Sequence, residues 1–104
     1  MTQRKRAARR AADREQEKLA RDLAKLAAAS PGGSPARPIV VVSPSEVEVH
    51  AEGMPCATCR SRVRVAEHVA VTIAGVRLRV ARVVCSFCRA ERMVYFQLAG
   101  AMPN

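Results

Sequence analysis

Residues 56–88 read CATCRSRVRVAEHVAVTIAGVRLRVARVVCSFC, and this stretch decides the fold of the chain. Each cysteine pair has the spacing Cys-x2-Cys, and 25 residues separate the two pairs. A Cys-x2-Cys turn directs both sulfurs to one side, so a hairpin between two such turns would gather four thiolates around one point. Tetrahedral Zn²⁺ takes four such ligands. We therefore predict one structural Zn²⁺ ion held by Cys56, Cys59, Cys85 and Cys88.

The residues between the cysteine pairs have the alternation of β-strands. Apolar side chains recur at every second position on both sides of Ala74-Gly75, which interrupts the pattern. This predicts a β-hairpin over residues 62–82, with Gly75 available for the positive φ of the turn. The same alternation over residues 92–98 predicts a final strand. Residues 46–50 also alternate, and we expect a half-buried strand there.

Together the two cysteine pairs, the hairpin and the final strand resemble the zinc-ribbon family. The resemblance covers residues 54–59, 62–82, 85–88 and 92–98 and leaves the first 40 residues uncovered. It implies a small metal-stabilised β domain in which two cysteine knuckles and a three-stranded antiparallel sheet surround zinc. Many members bind nucleic acid or belong to transcription and ribosome assemblies, and others are protein adaptors. Arg60 and Arg89 stand where a glycine commonly follows the second cysteine.

Other readings of the four cysteines are less well supported. A rubredoxin-like iron site uses the same four thiolates, but the missing glycines and the scarcity of aromatics disfavour it. Two disulfides would require an oxidising compartment. A thioredoxin-type redox pair needs a βαβ context, which neither pair has. A treble-clef zinc fold needs a helix where residues 91–98 have a strand pattern, and a zinc store or redox-responsive switch needs zinc that leaves on mild oxidation.

The chain divides into three predicted regions. Residues 1–29 lack glycine and proline and consist mainly of good helix formers, which predicts a helical arm. Its thin apolar seam (Ala8, Ala12, Leu19, Leu23, Leu26) covers barely two heptads with leucine and gives only weak support to a coiled coil. Residues 30–44 form a Pro/Gly-rich, flexible linker with a short edge segment at Ile39–Val42. Residues 45–104 form the zinc-ribbon domain.

Positive charge is concentrated in the arm. The whole chain has a formal net charge of +9, and residues 1–29 account for +5 of it. Basic groups of this density favour contacts with the phosphates of nucleic acid. The candidate nucleic-acid-binding residues are Arg4, Lys5, Arg6, Arg9, Arg10 and Arg14 in the arm, and Arg77 and Arg79 in the hairpin.

Several residues allow both a functional and a plain structural interpretation. Arg77, Arg79 and Arg82, with Arg62 and Arg64, could form a basic stripe on one sheet face, although a solvated polar face explains the alternation equally well. Tyr95 could stack on bases, but we expect Tyr95 at the surface and Phe96 in the core. His50 and His68 are expected to face solvent, because four cysteines already saturate a zinc ion.

These features predict a non-enzymatic protein. A four-cysteine zinc ion has no open position for water, and no catalytic triad or glycine-rich phosphate loop is evident. The first hypothesis is association with nucleic acid, either DNA or RNA, through the arm. The alternative is a protein-interaction adaptor that docks its N-terminal helix against a partner groove or a second copy of itself. A membrane or a small-molecule substrate is not expected, and a cytoplasmic location is the default.

Overall fold

The N-terminal quarter of the chain is one long helix. The computed structural model of the protein describes residues 2–99, and α1 spans Thr2–Ala29, as predicted. Side chains from Arg4 to Asp22 are all exposed, so this part of α1 is held together by its own backbone hydrogen bonds. Met1 in the predicted arm and residues 100–104 in the predicted C-terminal domain lie outside the described residues.

A four-stranded mixed sheet follows. Its strands are β1 (Ile39–Val41), β2 (Val63–Ile73), β3 (Val76–Cys85) and β4 (Glu91–Leu98), in the spatial order β1-β4-β3-β2. The three antiparallel strands that we predicted are present as β2, β3 and β4. The expectation of a three-stranded sheet was nevertheless wrong in number, because β1 extends the sheet as a parallel neighbour of β4.

The predicted hairpin is confirmed and contains one irregularity. Ala74 and Gly75 form its two-residue turn with φ of 51° and 79°, the pair of positive values that matches the twist of antiparallel strands. Further from the turn, the pairing shifts between Val65 and Glu67, so that Ala66 is an extra residue in β2. This β-bulge exchanges the two faces of β2 and brings Val63 opposite Cys85.

One face of the sheet carries the hydrophobic core. We call it the core face, and its fully buried residues include Ala81 and Val83 of β3 and Val94 and Phe96 of β4. The helix α2 (Ser45–Glu52) covers this face with Val47 and Ala51, which have no exposed surface. α2 therefore forms a second layer against the core face of the sheet.

Helix α2 replaces the strand that we predicted over residues 46–50. Val47 and Ala51 are four positions apart and face the core together, whereas Val49 is 74% exposed, which is helical periodicity. The Glu46 carboxylate accepts hydrogen bonds from the backbone N–H groups of Val42 and Ser43 at 2.6 and 2.9 Å. The missed signal is the Ser-x-x-Glu signature that begins at Ser43, which is typical of helix starts.

The proline- and glycine-rich segment after α1 forms a folded loop. Gly32 is buried and forms two backbone hydrogen bonds. Its N–H donates to Arg37 O at 2.6 Å, and its carbonyl oxygen accepts from the Tyr95 N–H at 2.8 Å. Gly33 lies so close to the end of α1 that a Cβ there would approach Ala27 O to 1.9 Å. The loop therefore contacts both α1 and β4, while the predicted flexibility of the linker stays a prediction.

Candidate metal centre

The hairpin brings the two cysteine pairs together. Cys56 and Cys59 lie in the loop before β2, Cys85 is the last residue of β3, and Cys88 follows in the turn to β4. In an antiparallel hairpin the start of one strand lies beside the end of the other, so both pairs reach the same end of the sheet. The Ser86 N–H donates to Arg62 O at 3.2 Å and joins the two loops directly.

The four sulfur atoms form a compact cluster. All four Sγ atoms lie within 4.8 Å of one another, with 3.6 Å between Cys56 and Cys88 and 3.3 Å between Cys59 and Cys85. Four sulfurs bound at about 2.3 Å to one tetrahedral ion are about 3.8 Å apart. The cluster thus has the size of a four-thiolate site and could hold a metal ion. Cys56 and Cys85 are buried, Cys59 is half-buried and Cys88 is exposed.

The first cysteine pair lies in a tight turn over residues 56–61, which we call the first knuckle, and three hydrogen bonds close it. The Cys56 N–H donates to Ser61 O at 2.9 Å, and the Arg60 N–H donates to Cys56 O at 3.0 Å. The Thr58 N–H points at the Cys56 sulfur at 3.4 Å. An N–H group aimed at a sulfur stabilises its thiolate form.

The second knuckle, residues 85–90, repeats this arrangement around the second cysteine pair. The Cys85 N–H donates to Ala90 O at 2.9 Å, and the Arg89 N–H donates to Cys85 O at 3.1 Å. The N–H groups of Phe87 and Cys88 both point at the Cys85 sulfur at 3.4 Å. Two turns of the same geometry therefore supply two sulfurs each from opposite sides of the cluster.

Both knuckles contain an arginine in an unusual backbone conformation. Arg60 has a φ of 67° and Arg89 a φ of 64°, in the left-handed region that glycine occupies most easily. These are the two positions where a glycine is common in zinc ribbons. The turns form without it, at a cost of about 1–2 kcal/mol per residue.

The thiol pKa values depend on hydrogen bonds and on crowding. The Ser61 hydroxyl and backbone N–H donate to the Cys59 sulfur and lower its pKa to about 6. The Ala90 N–H acts to lower the pKa of Cys88, but desolvation and the three neighbouring sulfurs outweigh it and raise that pKa to about 12. Four thiols this close cannot all ionise alone, and a bound cation would remove this penalty. Ser61 is a residue whose role the sequence did not indicate.

The candidate nucleic-acid-binding residues lie in two separate places. The six basic residues of the arm are exposed along the N-terminal half of α1, and Arg77 and Arg79 lie near the hairpin turn. The end of α1 adjoins the first knuckle, since Ala27 and Ala57 line one cleft. The hairpin turn is about 30 Å from that end of β3. The structure does not bring the two groups together.

The proposed basic stripe is wrong in its membership. Arg82 belongs to the opposite face of β3 from Arg77 and Arg79, because successive strand residues alternate in direction. Its guanidinium is also paired, at 3.1 Å from a Glu91 carboxylate oxygen and 4.0 Å from one of Glu67. Arg64, which pairs with Val84, is on the same side as Arg82.

The aromatic and histidine residues can now be placed. Phe96 has no exposed surface, as expected, whereas Tyr95, which we expected at the surface, is half-buried on the other face. His50 is exposed, as predicted, and its ring meets Phe96 edge-on at 5.7 Å. The expectation for His68 was wrong: its Nε2 is buried, with no hydrogen-bond partner among residues 2–99. The bulge at Ala66 turns His68 to the core face.

Comparisons with known proteins do not assign this chain to a family. No family model, no curated protein and no solved structure matches this chain. In the described range 2–99, no helix combines the length and apolar character needed to cross a membrane.

Proposed function

We propose that this protein is a non-enzymatic zinc-ribbon protein in which a metal-stabilised sheet presents a basic helical arm to nucleic acid. The observation that carries the proposal is the arm itself. Its six basic side chains are all exposed, and none of them forms an ion pair within the described residues 2–99, where both ion pairs involve Arg82.

The chemistry of the cysteine cluster supports zinc. Four thiolates and no other ligand suit Zn²⁺, which accepts tetrahedral sulfur without a preference imposed by d electrons. Four protein ligands leave no position for water or substrate, which supports a structural rather than a catalytic ion. A reducing compartment such as the cytoplasm would keep the thiols free to bind it.

The distribution of charge along α1 supports a polyanionic partner. Arg6, Arg10 and Arg14 recur every four residues, so their like charges line one side of the helix and repel one another. The first turn has no acidic residue to complement the helix dipole. Phosphate groups along this side would relieve both penalties, so the arm gains more from nucleic acid than an ordinary solvated helix would.

Titration with salt tests the proposal. If the arm neutralises about four to six phosphates, the slope of log K against log salt concentration is expected to be about −4 to −5 for duplex DNA. Fluorescence anisotropy with a labelled duplex and a structured RNA would measure it. Binding should be almost independent of sequence, because phosphate contacts carry no base information.

Charge-neutralising variants provide the control. Replacing Arg6, Arg10 and Arg14 by glutamine should reduce the slope by about three and weaken binding of every sequence alike. Replacing Lys18, Arg21 and Lys25 in the second half of α1 removes the same charge and should have the smaller effect. The absence of binding to DNA and RNA at low salt would refute a nucleic-acid function.

A protein-interaction adaptor is the second candidate, and one observation favours it. Leu19 and Leu26 of α1 are 59% and 65% exposed, although leucine on a helix usually packs against something. Binding of a protein partner through these leucines would persist at high salt concentration, whereas nucleic-acid binding would weaken steeply.

A further inference from the structure

The tip of the second knuckle carries an aromatic ring that nothing in the described chain covers. Phe87 is 79% exposed, which is the highest value among the large apolar side chains of residues 2–99. The chain has only two phenylalanines and one tyrosine, and the other two aromatic residues, Phe96 and Tyr95, are buried and half-buried in the sheet. Packing in the core therefore does not explain why an aromatic residue stands at this tip.

The backbone around Phe87 is fixed by the turn. The Phe87 N–H points at the Cys85 sulfur at 3.4 Å, as does the Cys88 N–H. The Arg89 N–H closes the turn by donating to Cys85 O at 3.1 Å. The ring thus projects from a hydrogen-bonded turn, so a flat ligand that stacks on it restricts little additional motion.

Three arginines belong to the same end of the sheet as this ring. The residue before Phe87 donates its N–H to Arg62 O at 3.2 Å, and Arg89 lies two residues after Phe87. Arg60 directly follows the cysteine whose sulfur is 3.3 Å from that of Cys85. All three arginines are exposed. We call the surface formed by Arg60, Arg62, Phe87 and Arg89 the knuckle surface.

Positive charge predominates on the knuckle surface. Residues 56–62 and 85–90 contain no aspartate or glutamate. Within the described residues 2–99 both ion pairs involve Arg82, whose closer partner is Glu91 at 3.1 Å. The three arginines of the knuckle surface therefore have no ion-pair partner there, and they outnumber the formal negative charge that four thiolates retain around one Zn²⁺. Such a surface favours an anionic ligand.

The backbone of the knuckles gives a second reason to assign a function to these arginines. Arg60 and Arg89 have φ values of 67° and 64°, which glycine adopts without strain. Glycine at either position would form the same turn more easily, so folding does not account for the arginine side chains. Strained backbone of this kind concentrates at functional sites, where the side chain is needed for something other than stability.

We propose that the knuckle surface binds a single-stranded segment of nucleic acid, with one unpaired base stacked on Phe87 and the neighbouring phosphates held by Arg60, Arg62 and Arg89. This inference rests on the nucleic-acid function proposed above and names the class of substrate. An aromatic ring can stack on any base, because every base has a π-face. In a duplex both faces of a base are covered by its neighbours, so only an unpaired base can occupy this place.

The position of the arm allows one nucleic acid to contact both sites. The end of α1 adjoins the first knuckle, where Ala27 and Ala57 line one cleft. Arg14, the last of the six candidate residues in the arm, is about 20 Å from Ala27 along the helix. The arm binds phosphates of paired or unpaired strands alike. The knuckle surface would therefore add a preference for single strands, loops or junctions.

Fluorescence anisotropy of the full, metal-loaded chain tests the role of the ring. The probes are a labelled single strand of about 12 nucleotides, as DNA and as RNA, and a duplex of the same sequence. Phe87→Ala should weaken single-strand binding about 10-fold and leave duplex binding unchanged. Phe87→Tyr should keep the affinity, whereas Phe87→Leu, which is apolar without a flat ring, should lose it. The control Val42→Ala changes a residue 76% exposed outside the knuckle surface and should bind as the wild type does.

A tryptophan at the same position reports the contact directly. The chain has no tryptophan, so Phe87→Trp introduces a single emitting ring. Stacking on a base should quench its emission when the single strand is added, and the duplex should leave the emission unchanged. Metal content and circular dichroism of every Phe87 variant should equal those of the wild type, because the side chain is at the surface.

The arginines are tested by binding and stability together. Arg60→Gly with Arg89→Gly should reduce the slope of log K against log salt concentration by about 1.4 for a single strand, which is about 0.7 for each lost phosphate contact. The same double variant should be more stable to denaturation than the wild type. A purely structural role for these side chains would not weaken binding in a more stable protein. Arg64→Gln, on strand β2 outside the knuckle surface, should leave the slope unchanged.

Two results would overturn the proposal. In the first, Phe87→Ala binds single strands as tightly as the wild type, and the exposed ring would then serve a protein contact. In the second, the emission of Phe87→Trp does not change when the single strand binds. Either result leaves the arm untouched, because duplex binding is measured in the same experiment. Single-strand binding without any duplex binding would instead refute the role of the arm and support the knuckle surface.

Discussion

The arm and the cysteine-bearing sheet obtain their structure in opposite ways. α1 has 28 residues whose hydrogen bonds within the helix are local, and its side chains from Arg4 to Asp22 are exposed to solvent. The sheet consists of contacts between distant residues, and its two cysteine pairs are 25 residues apart. We therefore expect metal to control the stability of the sheet and charge to control binding by the arm, with little coupling between the two.

Replacing one of the four cysteines should give the largest difference between the sheet and the arm. Cys85→Ser is expected to unfold the sheet, because a structural zinc site contributes about 10–16 kcal/mol at neutral pH, whereas a core of this size supplies about 3–5 kcal/mol. Amide exchange should become fast throughout β2, β3 and β4. α1 should keep its helical circular dichroism, because its bonds are local.

The neighbouring residue offers the control for this change. Ser86→Ala alters the same exposed turn without touching a ligand, and its unfolding temperature should stay within a few degrees of the wild type. If Cys85→Ser retained slow exchange in β3, metal would not hold the sheet together. Loss of α1 helicity in the same variant would show that the two halves fold as one unit.

Acid should act on the metal centre and spare the arm. The Cys59 pKa of about 6 means that this thiol is already ionised at pH 7.5, while Cys88, with a pKa of about 12, still carries its proton. These shifts belong to the folded sheet. Because the metal-free sheet is expected to unfold, its thiols should titrate as in an open chain, at about 8.5, and Zn²⁺ binding at pH 7.5 should release close to four protons. The affinity should therefore fall steeply as the pH decreases.

Calorimetry in buffers of different ionisation enthalpy would count these protons. Release of clearly fewer than four protons at pH 7.5 would contradict unfolding of the metal-free sheet and would indicate that it keeps the low pKa of Cys59. In that case Ser61→Ala, which removes the hydroxyl that lowers this pKa, should increase the count without changing the metal stoichiometry.

The smallest effect concerns the two arginines with positive φ. Arg60→Gly and Arg89→Gly should each raise the free energy of unfolding by about 1 kcal/mol, because glycine adopts this conformation without a Cβ clash. Arg64→Gly removes the same side chain from the extended strand β2 and should lower stability by about 0.5–1 kcal/mol. Chemical denaturation of the metal-loaded protein measures all three. Equal destabilisation by all three would mean that the arginine side chains stabilise the knuckles.

Local patterns in the sequence were sufficient for the elements that local chemistry determines. The composition of residues 2–29 predicted α1, Ala74-Gly75 predicted the hairpin turn, and the cysteine spacing predicted the sulfur cluster. Each of these depends on residues close in sequence or on one symmetric hairpin. α2 could also have been predicted from the sequence, because Ser43 and Glu46 form a helix-start signature. The alternating valines that follow indicated a strand instead.

Tertiary structure alone decided which surfaces the molecule presents. The bulge at Ala66 changes the facing of β2, and only its pairing with β3 reveals where the extra residue lies. Likewise, β1 could join the sheet only after β4 supplied a free edge, and Gly32 could be buried only against β4. Alternation predicts two faces for a strand, but which face is covered depends on where a distant helix packs. The amino-acid sequence thus determined the four-cysteine cluster and the hairpin, whereas the packing of α2 determined which face of the sheet became the core.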